Sequence, residues 1–207
     1  MNRSTAWRTH SCGDLRAEDV GLEVRLCGWV SSRRDHGGVY FVDLRDRYGI
    51  TQIFVDETVS ENLGEQMSSL HQEDVLSITG IVQMRIDGQR NPDRATGDVE
   101  VLLTSIEVLS PADTLPFEIF DEIDVPEDIR LRYRYLDMRR QPLQRALQMR
   151  SKANQVIRNV LCEHEFVEVE TPMLTRSTPE GARDYLVPSR VKEDSWFALP
   201  QSPQIFK

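Results

Sequence analysis

The chain of 207 residues can hold one large or two small domains, and its 39% hydrophobic and 29% charged residues are ordinary for a folded protein. No apolar run approaches the roughly 20 residues needed to span a bilayer, and residues 1–10 lack the apolar core of a secretory signal. The formal net charge of −9 does not exclude a nucleic-acid partner, because such a partner needs local positive charge rather than a basic total.

The cysteines and histidines do not predict a disulfide framework or a metal site. Cys12, Cys27 and Cys162 are far apart and form no CxxC pair. That spacing argues against bridges and against a cysteine zinc site, and it favours a reducing compartment such as the cytoplasm. The four histidines also lack the spacing of metal ligands.

Residues 24–109 contain five short stretches rich in branched and aromatic residues, separated by turn formers, and these stretches predict β-strands. They are Val24–Val30, Val39–Leu44, Ile50–Val55, Val75–Val82 and Val99–Leu109. Between the third and fourth, Leu63, Met67 and Leu70 recur at helical spacing. This order is that of an OB-fold barrel, with an SH3-like or unrelated small barrel as the alternative. In an OB-fold the second and third strands bind oligonucleotides, together with the loops predicted here at 31–38 and 83–98.

The second predicted strand presents an aromatic residue on the outside of the barrel. If alternate residues from Tyr40 to Leu44 point into the core, then Phe41, Asp43 and Arg45 point outward. An outward phenylalanine can stack on a nucleic-acid base, an interaction that contributes roughly 1–3 kcal/mol. The alternative is that Phe41 packs under a loop, since single exposed apolar residues are common.

Three polar residues near Phe41 have the chemistry to contact bases. Gln52 on the third strand offers both a donor and an acceptor to a base edge. Arg34 in the preceding loop can reach phosphate or guanine, and Glu100 on the fifth strand can accept from a base amino group. The alternative for the arginine is a solvated surface position.

A proline-containing linker follows the barrel and carries strongly segregated charge. From Phe117 to Asp128 there are six acids and no base, whereas from Arg130 to Arg150 there are seven arginines and one aspartate. These arginines suit a domain hinge, a phosphate backbone or an ion-pair network with the acidic run. Pro142 and the apolar stripe after it predict a helix to about Cys162, and a strand is predicted at Phe166–Glu170.

Several strings, in order and spacing over nearly the whole chain, resemble bacterial aspartyl-tRNA synthetases. The most specific is the run of thirteen residues from Thr178 to Arg190; as bare composition, it would suit an ordinary surface loop. The others are Cys27–Val30, Arg33–Asp35, Asp43–Asp46, Arg132–Asp137, Glu170–Pro172 and Ala198–Gln204. Relatives for asparagine and lysine share the barrel and the class II catalytic domain, but the Gly-Ala-Arg-Asp-Tyr run resembles the aspartate enzyme.

The resemblance implies an OB-fold anticodon-binding domain at 1–112, a hinge at 113–141 and the start of an α+β class II catalytic domain at 142–207. That catalytic domain is an antiparallel sheet with helices, and it is expected to be incomplete here. The implied activity is ATP-dependent ligation of L-aspartate to tRNA(Asp) through an aspartyl-adenylate. The complete enzyme is expected to use ATP and Mg²⁺, to be a cytoplasmic homodimer and to have no membrane association.

The resemblance also implies roles for individual barrel residues. Phe41 would stack on an anticodon base, and Gln52 would read the central uridine. Arg34 and Glu100 would contact the anticodon. No side-chain nucleophile is expected, since the chemistry depends on positioning and charge stabilisation.

In the second half, the resemblance implies a substrate pocket and a dimer interface. Glu180 would lie in a loop that closes over aspartate, and Ser202, Gln204 and Lys207 would line the aspartate pocket. Lys207 would hold the side-chain carboxylate of the substrate. Pro172 matches the proline of the first class II motif, which builds the homodimer interface.

Three departures from the family pattern accompany these expectations. Glu165 stands where the family usually has glycine, and the second and third motifs, which bind ATP, are absent from the 207 residues. No catalytic residue is therefore assignable, and this chain alone is expected to show no ATP–pyrophosphate exchange. His36 and Gly88 resemble the non-discriminating subtype, which also charges tRNA(Asn). The alternative function is a truncated, non-catalytic paralogue that holds tRNA through its barrel.

Overall fold

The structure, a computed structural model, describes residues 4–55, 61–177, 183–203 and 206. The chain divides into two units, residues 1–141 and 142–207. The first contains a 3-10 helix at Ala17–Asp19, strands β1 (Glu23–His36), β2 (Val39–Arg45) and β3 (Ile50–Val55), helix α1 (Glu61–Ser68), strands β4 (Val75–Met84) and β5 (Val99–Ser110), and helices α2 (Glu127–Arg132) and α3 (Arg134–Asp137). Helix α4 (Gln141–Glu163) is followed by strands β6 (Tyr185–Pro188) and β7 (Trp196–Leu199).

Strands β1 to β5 form a closed barrel in the order β1-β2-β3-β5-β4. The β3–β5 pair is parallel, and the other strand pairs are antiparallel. Helix α1 connects β3 to β4. This is OB-fold topology, so the predicted strand order and the position of the helix are confirmed.

Strand β1 is much longer than predicted, because it pairs first with β4 and then with β2. Its first half pairs with β4 as far as Trp29, and its second half pairs with β2 as far as His36, with an irregular register between Val30 and Ser32. The prediction of a loop over 31–38 was therefore wrong: only Gly37 and Gly38, both with positive φ, form the turn. Strand β4 likewise continues to Met84, so the following loop begins at residue 85 rather than 83.

Gly28 lies where β1 crosses from one partner strand to the other. A Cβ atom at this position would lie 2.5 Å from the carbonyl oxygen of Arg45. The neighbour is backbone and cannot move aside as a flexible side chain would. Glycine is therefore required by close strand approach, which is what allows the barrel to close here.

The interior of the barrel is aliphatic. Every strand contributes inward residues that are essentially inaccessible to solvent, namely Val24, Leu26, Val30, Val42, Leu44, Ile53, Val55, Leu76, Ile78, Val82, Val99, Val101 and Leu103. Met67 and Leu70, at and beyond the end of α1, join this core, and Leu63 packs against it. The period-two pattern in the strands and the helical spacing in 63–70 are thus both explained by burial against one core.

The arginine-rich segment after the linker is held by specific acceptors. Asp137 is fully buried, and its carboxylate accepts hydrogen bonds from Arg134 and Arg140, each at 2.8 Å. Arg139 pairs with Glu73, and its guanidinium lies 4.7 Å from the ring centroid of Trp29. The ion pairs of Arg134, Arg139 and Arg140 thus run within the segment and to the barrel, and Arg140 also donates to the backbone carbonyls of Phe120 and Asp121 in the acidic run.

Helix α4 confirms the prediction that Pro142 stands in a first helical turn. None of its described side chains is buried, and Met149, Val156 and Ile157 are more than half exposed. The predicted strand at Phe166–Glu170 was wrong, because these residues form no β-ladder with any described residue. Alternation alone favours an extended backbone, but a strand also requires a hydrogen-bonded partner.

Glu165 adopts the left-handed conformation (φ 64°) just after α4. The amide of Phe166 donates to the carbonyl of Leu161, and that of Glu165 donates to Cys162, as in a helix cap that usually contains glycine. Glu165→Gly is expected to stabilise the last turn of α4 by about 1 kcal/mol, measured as slower amide hydrogen exchange. Glu165→Ala removes the same side chain but keeps the backbone penalty, so equal stabilisation by both variants would contradict this reasoning.

Candidate nucleic-acid interface

All six residues predicted to contact or discriminate the nucleic acid line one cavity on the outside of the barrel. The cavity has a volume of about 770 Å³ and is open to solvent. Its predicted lining comes from four strands and the β4–β5 loop, namely Arg34 and His36 on β1, Phe41 on β2, Gln52 on β3, Glu100 on β5 and Gly88 in the loop. Residues that are up to 66 positions apart in the chain thus meet at one place because the barrel closes.

Gln52 lies at the centre of a hydrogen-bonded row across the cavity wall. Its carbonyl oxygen accepts from Arg34 Nη2 at 3.2 Å, and its amide nitrogen donates to Glu100 Oε2 at 2.8 Å. These two bonds fix which end of the amide faces which neighbour. One N–H and one carbonyl lone pair of the amide are left over, a matched donor and acceptor for the edge of a base.

Phe41 points outward as predicted, but it is half-buried rather than bare. Its ring stacks on Phe54 across the β2–β3 pair, with centroids 6.2 Å apart and planes at 23°. The ring of His36 meets it edge-on at 5.8 Å. The three rings form an aromatic group at one side of the cavity, which provides a surface for stacking.

Asp43 and Arg45 also lie on the outward face of β2, yet both are buried, which the alternation pattern did not predict. Oppositely charged groups cover them: Arg94 and Arg34 cover Asp43, and Glu73 pairs with Arg45. Burial pushes the pKa of Asp43 upward, but the hydrogen bonds from Arg94 and Ser32 and the charges of Arg94 and Arg34 together outweigh it, so the pKa lies below its ordinary value. A buried polar side chain on an outer face is tolerated because it is paired.

Arg85 lines the same cavity and was missed by the sequence reasoning. It is 6% exposed, its Nε donates to the carbonyl of Val99 at 3.1 Å, and its Nη2 is buried with no hydrogen-bond partner among the described residues. Burial lowers the pKa of Arg85. Continuing the alternation of β4 for three residues past Val82 would have placed Gln83 and Arg85 on the outer face.

The protonation of Glu100 gives a pH-dependent prediction. Burial raises the pKa of Glu100, while the hydrogen bond from Gln52 and the charge of Arg85 act in the opposite direction. When the pKa of an acid is higher in the folded than in the unfolded protein, its protonated form stabilises the fold. This stabilisation is complete at a pH below the unfolded-state pKa, and it is lost as the pH rises through the folded-state pKa.

We therefore expect the free energy of unfolding of the wild type, relative to Glu100→Gln, to decline as the pH rises from about 4.5 to the raised folded pKa. The glutamine carbonyl can still accept from Gln52, so the hydrogen bond itself is retained. Urea denaturation of both proteins at several pH values measures the difference. A difference that grows with pH would show that the charged form is the one favoured by folding.

Of the residues predicted to bind aspartate, only Ser202 lies in the described part of the chain. Ser202 is exposed in a bend, and Pro172 is exposed between α4 and β6. Glu180, Gln204 and Lys207 lie outside the described residues. Within the described ranges, no group of three or more His, Cys, Asp and Glu side chains could hold a metal ion, and no helix is long and apolar enough to cross a membrane.

Two protein-family models match the chain, one for each half. Residues 24–109 match the OB-fold nucleic acid binding domain, and residues 126–207 match the class II tRNA synthetases (D, K and N). The first match covers the barrel and its cavity, whereas the second begins just before α2.

Similar proteins agree with both models. The chain is 54% identical over 201 residues to the aspartate–tRNA(Asp/Asn) ligase of Nocardioides sp. and 52% identical over 200 residues to that of Desulfotalea psychrophila. Each match covers 97% of this chain and 33% of the relative, so the chain spans about a third of their length.

Asparaginyl-tRNA synthetase from Pyrococcus horikoshii has a similar fold, with a TM-score of 0.79 and 24% identity over 95% of this chain and 43% of that one. At this identity the likeness establishes the fold alone. The two family matches thus assign residues 24–109 to the OB-fold nucleic acid binding domains and residues 126–207 to the class II tRNA synthetases of the D, K and N group. Over 97% of its length the chain is similar to about a third of each of the two bacterial aspartate–tRNA(Asp/Asn) ligases.

Proposed function

We propose that the chain is the anticodon-binding part, with the beginning of the catalytic domain, of a cytoplasmic enzyme that ligates L-aspartate to tRNA(Asp) through an aspartyl-adenylate. The observation that carries the proposal is the single cavity lined by Arg34, Phe41, Gln52 and Glu100 on a barrel of the nucleic-acid-binding family. The chain's net charge is −9, but Arg34, Arg85 and Arg90 give this cavity local positive charge.

The side chains of the cavity suit a single-stranded loop whose bases are splayed outward. Phe41 would stack on one base, with Phe54 supporting its ring from the neighbouring strand. Gln52 would read the central uridine, because uracil offers one N–H and two carbonyl oxygens to a matched amide. Arg34 and Glu100, which hold Gln52 from either side, would contact the same or adjoining bases.

We further propose that the enzyme is non-discriminating and also charges tRNA(Asn). His36 is exposed at the rim of the cavity, and Gly88 (φ 88°) has nothing within 4 Å of where a Cβ would lie. A side chain at position 88 would occupy space next to the bound loop, and its absence favours a permissive site. The similar ligases from Nocardioides sp. and Desulfotalea psychrophila are named for both tRNAs.

The second unit would supply part of the aspartate site and of a homodimer interface. Glu180, Ser202, Gln204 and Lys207 would bind aspartate, and Pro172 would lie at the interface. The exposed apolar side chains of α4 support an interface on this helix, because a contiguous apolar face normally packs against another surface. The match to class II synthetases implies ATP use, and Mg²⁺ would accompany the nucleotide in the complete enzyme; no residue among these 207 is assigned to either.

The proposal is tested by aspartylation assays on a longer protein that contains this chain, with transcribed tRNA(Asp) and tRNA(Asn) as substrates. Comparable aspartylation of both is the expected result. Strict rejection of tRNA(Asn) would overturn the non-discriminating part alone. Binding of tRNA(Asp) without any aspartylation would favour the non-catalytic paralogue instead.

A further inference from the structure

Asp43 is a buried carboxylate that organises the surroundings of the cavity without lining it. It is 3% exposed, and three side chains donate to it. Arg94 donates through both terminal nitrogens, Nη1 to Oδ1 at 2.8 Å and Nη2 to Oδ2 at 2.9 Å. Ser32 Oγ donates to Oδ2 at 2.9 Å, and Arg34 Nη2 lies 3.3 Å from Oδ1. The carboxylate is therefore fully engaged at both oxygens.

The bond to Arg94 ties the β4–β5 loop to strand β2. Arg94 lies 51 positions from Asp43, in the loop of residues 85–98 that forms one wall of the cavity. A two-point Arg–carboxylate pair fixes orientation as well as distance. Thr96 adds a second tie by donating to the carbonyl of Ile50 on β3. These contacts hold the loop, including Gly88 and Asn91, against the barrel.

The contact with Arg34 extends the row of polar groups across the cavity. The same Arg34 nitrogen that approaches Asp43 also donates to the carbonyl oxygen of Gln52 at 3.2 Å. Gln52 in turn donates to Glu100 at 2.8 Å. Asp43 is thus the first member of a hydrogen-bonded series that continues through Arg34 and Gln52. It sets the Arg34 rotamer and, through Arg34, the orientation of the Gln52 amide.

We propose that Asp43, together with Arg94, is a positioning residue for base recognition and determines which base the cavity accepts; this inference rests on the proposed anticodon-binding function. Without the carboxylate, Arg34 loses one of its two acceptors and can turn toward solvent. The Gln52 amide is then held by Glu100 alone and loses the bond that fixes its carbonyl end. Stacking on Phe41 does not depend on these bonds, so base discrimination falls more than affinity does.

The experiment uses the full 207-residue chain and two anticodon stem-loop RNAs, one with the aspartate anticodon GUC and one with its central uridine replaced by cytidine. The ratio of the two dissociation constants measures discrimination. Asp43→Asn keeps the size of the side chain but removes its charge, and it is expected to lower this ratio about tenfold. If Asp43 acted only in folding, Asp43→Asn would weaken the binding of both RNAs equally and leave the ratio unchanged.

Asp46→Asn is the matched control. Asp46 is also buried at 7% exposure and lies just after the same strand, but it accepts from the amides of Cys12, Tyr48 and Gly49 and does not line the cavity. This variant is expected to lower stability without changing the ratio. A ratio that falls equally in Asp46→Asn would overturn the inference, as would an unchanged ratio in folded Asp43→Asn.

Arg94→Gln keeps the inference testable if Asp43→Asn does not fold. The Arg94 side chain is 28% exposed, and after its truncation the buried Asp43 carboxylate still has Ser32 and Arg34 as partners. Asp43 then keeps Arg34 but loses the tie to the loop, and we expect the ratio to fall about threefold. An unchanged ratio overturns the inference. If the wild-type chain fails to bind the GUC stem-loop, the proposed function fails rather than the role of Asp43.

Discussion

Phe41→Ala is expected to weaken binding of the aspartate anticodon stem-loop by about 1–3 kcal/mol, or roughly 5- to 150-fold in Kd, while the barrel stays folded. The phenylalanine ring provides the aromatic surface of the cavity, and alanine leaves a base without a stacking partner. The aliphatic core does not depend on this side chain, since Phe41 lies on the outer face and contacts Phe54 and His36.

Tyr48→Ala is the matched control for this result. Tyr48 is an aromatic residue with 42% exposure in the β2–β3 turn, at the opposite end of the hairpin from Phe41, and it does not line the cavity. Its truncation is expected to leave RNA affinity unchanged. Fluorescence titration at one fixed salt concentration measures both variants, because phosphate contacts make affinity strongly salt-dependent. Unfolding of Phe41→Ala would instead show that Phe41 is a structural core residue.

Glu73→Ala is expected to lower the free energy of unfolding of the 1–141 unit by about 3–5 kcal/mol. Glu73 is 6% exposed and pairs with Arg45 from the barrel and with Arg139 from the segment after α3. The side chain of Arg45 is only 9% exposed, so removal of the carboxylate leaves a buried cation without its ion-pair partner. Urea denaturation of the full chain measures the loss.

Two control variants separate the effect of losing the Glu73 charge from the effect of its backbone conformation. Glu73 has a φ of 68°, so Glu73→Gly removes the same carboxylate but relieves about 1 kcal/mol of left-handed strain and is expected to be less destabilising than Glu73→Ala. The Asp87 carboxylate is 95% exposed and pairs with Arg90. Asp87→Ala breaks this surface pair, and little change in the free energy of unfolding is expected. Equal effects of Glu73→Ala and Asp87→Ala would contradict the account of the buried pair.

Much of the barrel could be predicted because its signals are local. Short stretches of branched and aromatic residues between turn formers located all five strands, and the spacing of Leu63, Met67 and Leu70 located α1. Strand ends were less predictable, since an extended strand continues wherever a partner is available. Residues 31–36 looked like a polar loop, yet they pair with β2 from Ser32 to His36.

The lining of the cavity could be anticipated only in part. Phe41, Gln52 and Arg34 were identified by their positions on or beside the second and third strands, together with the family resemblance. The pairing of Asp43 with Arg94 joins residues 51 positions apart, and no local pattern specifies that contact. Arg85 was missed because the predicted fourth strand ended at Val82, three residues before it. Buried charges on outer faces depend on long-range partners, which explains why simple alternation gave the outward direction of Asp43 and Arg45 but not their burial.

Direct titration of the 207-residue chain with the two stem-loop RNAs tests whether the cavity on the barrel reads an aspartate anticodon. We expect saturable binding of the GUC stem-loop, with an affinity at least about tenfold greater than for the same hairpin carrying cytidine at the central position. Equal affinity for the two hairpins, or no binding of either by the folded chain, would contradict it.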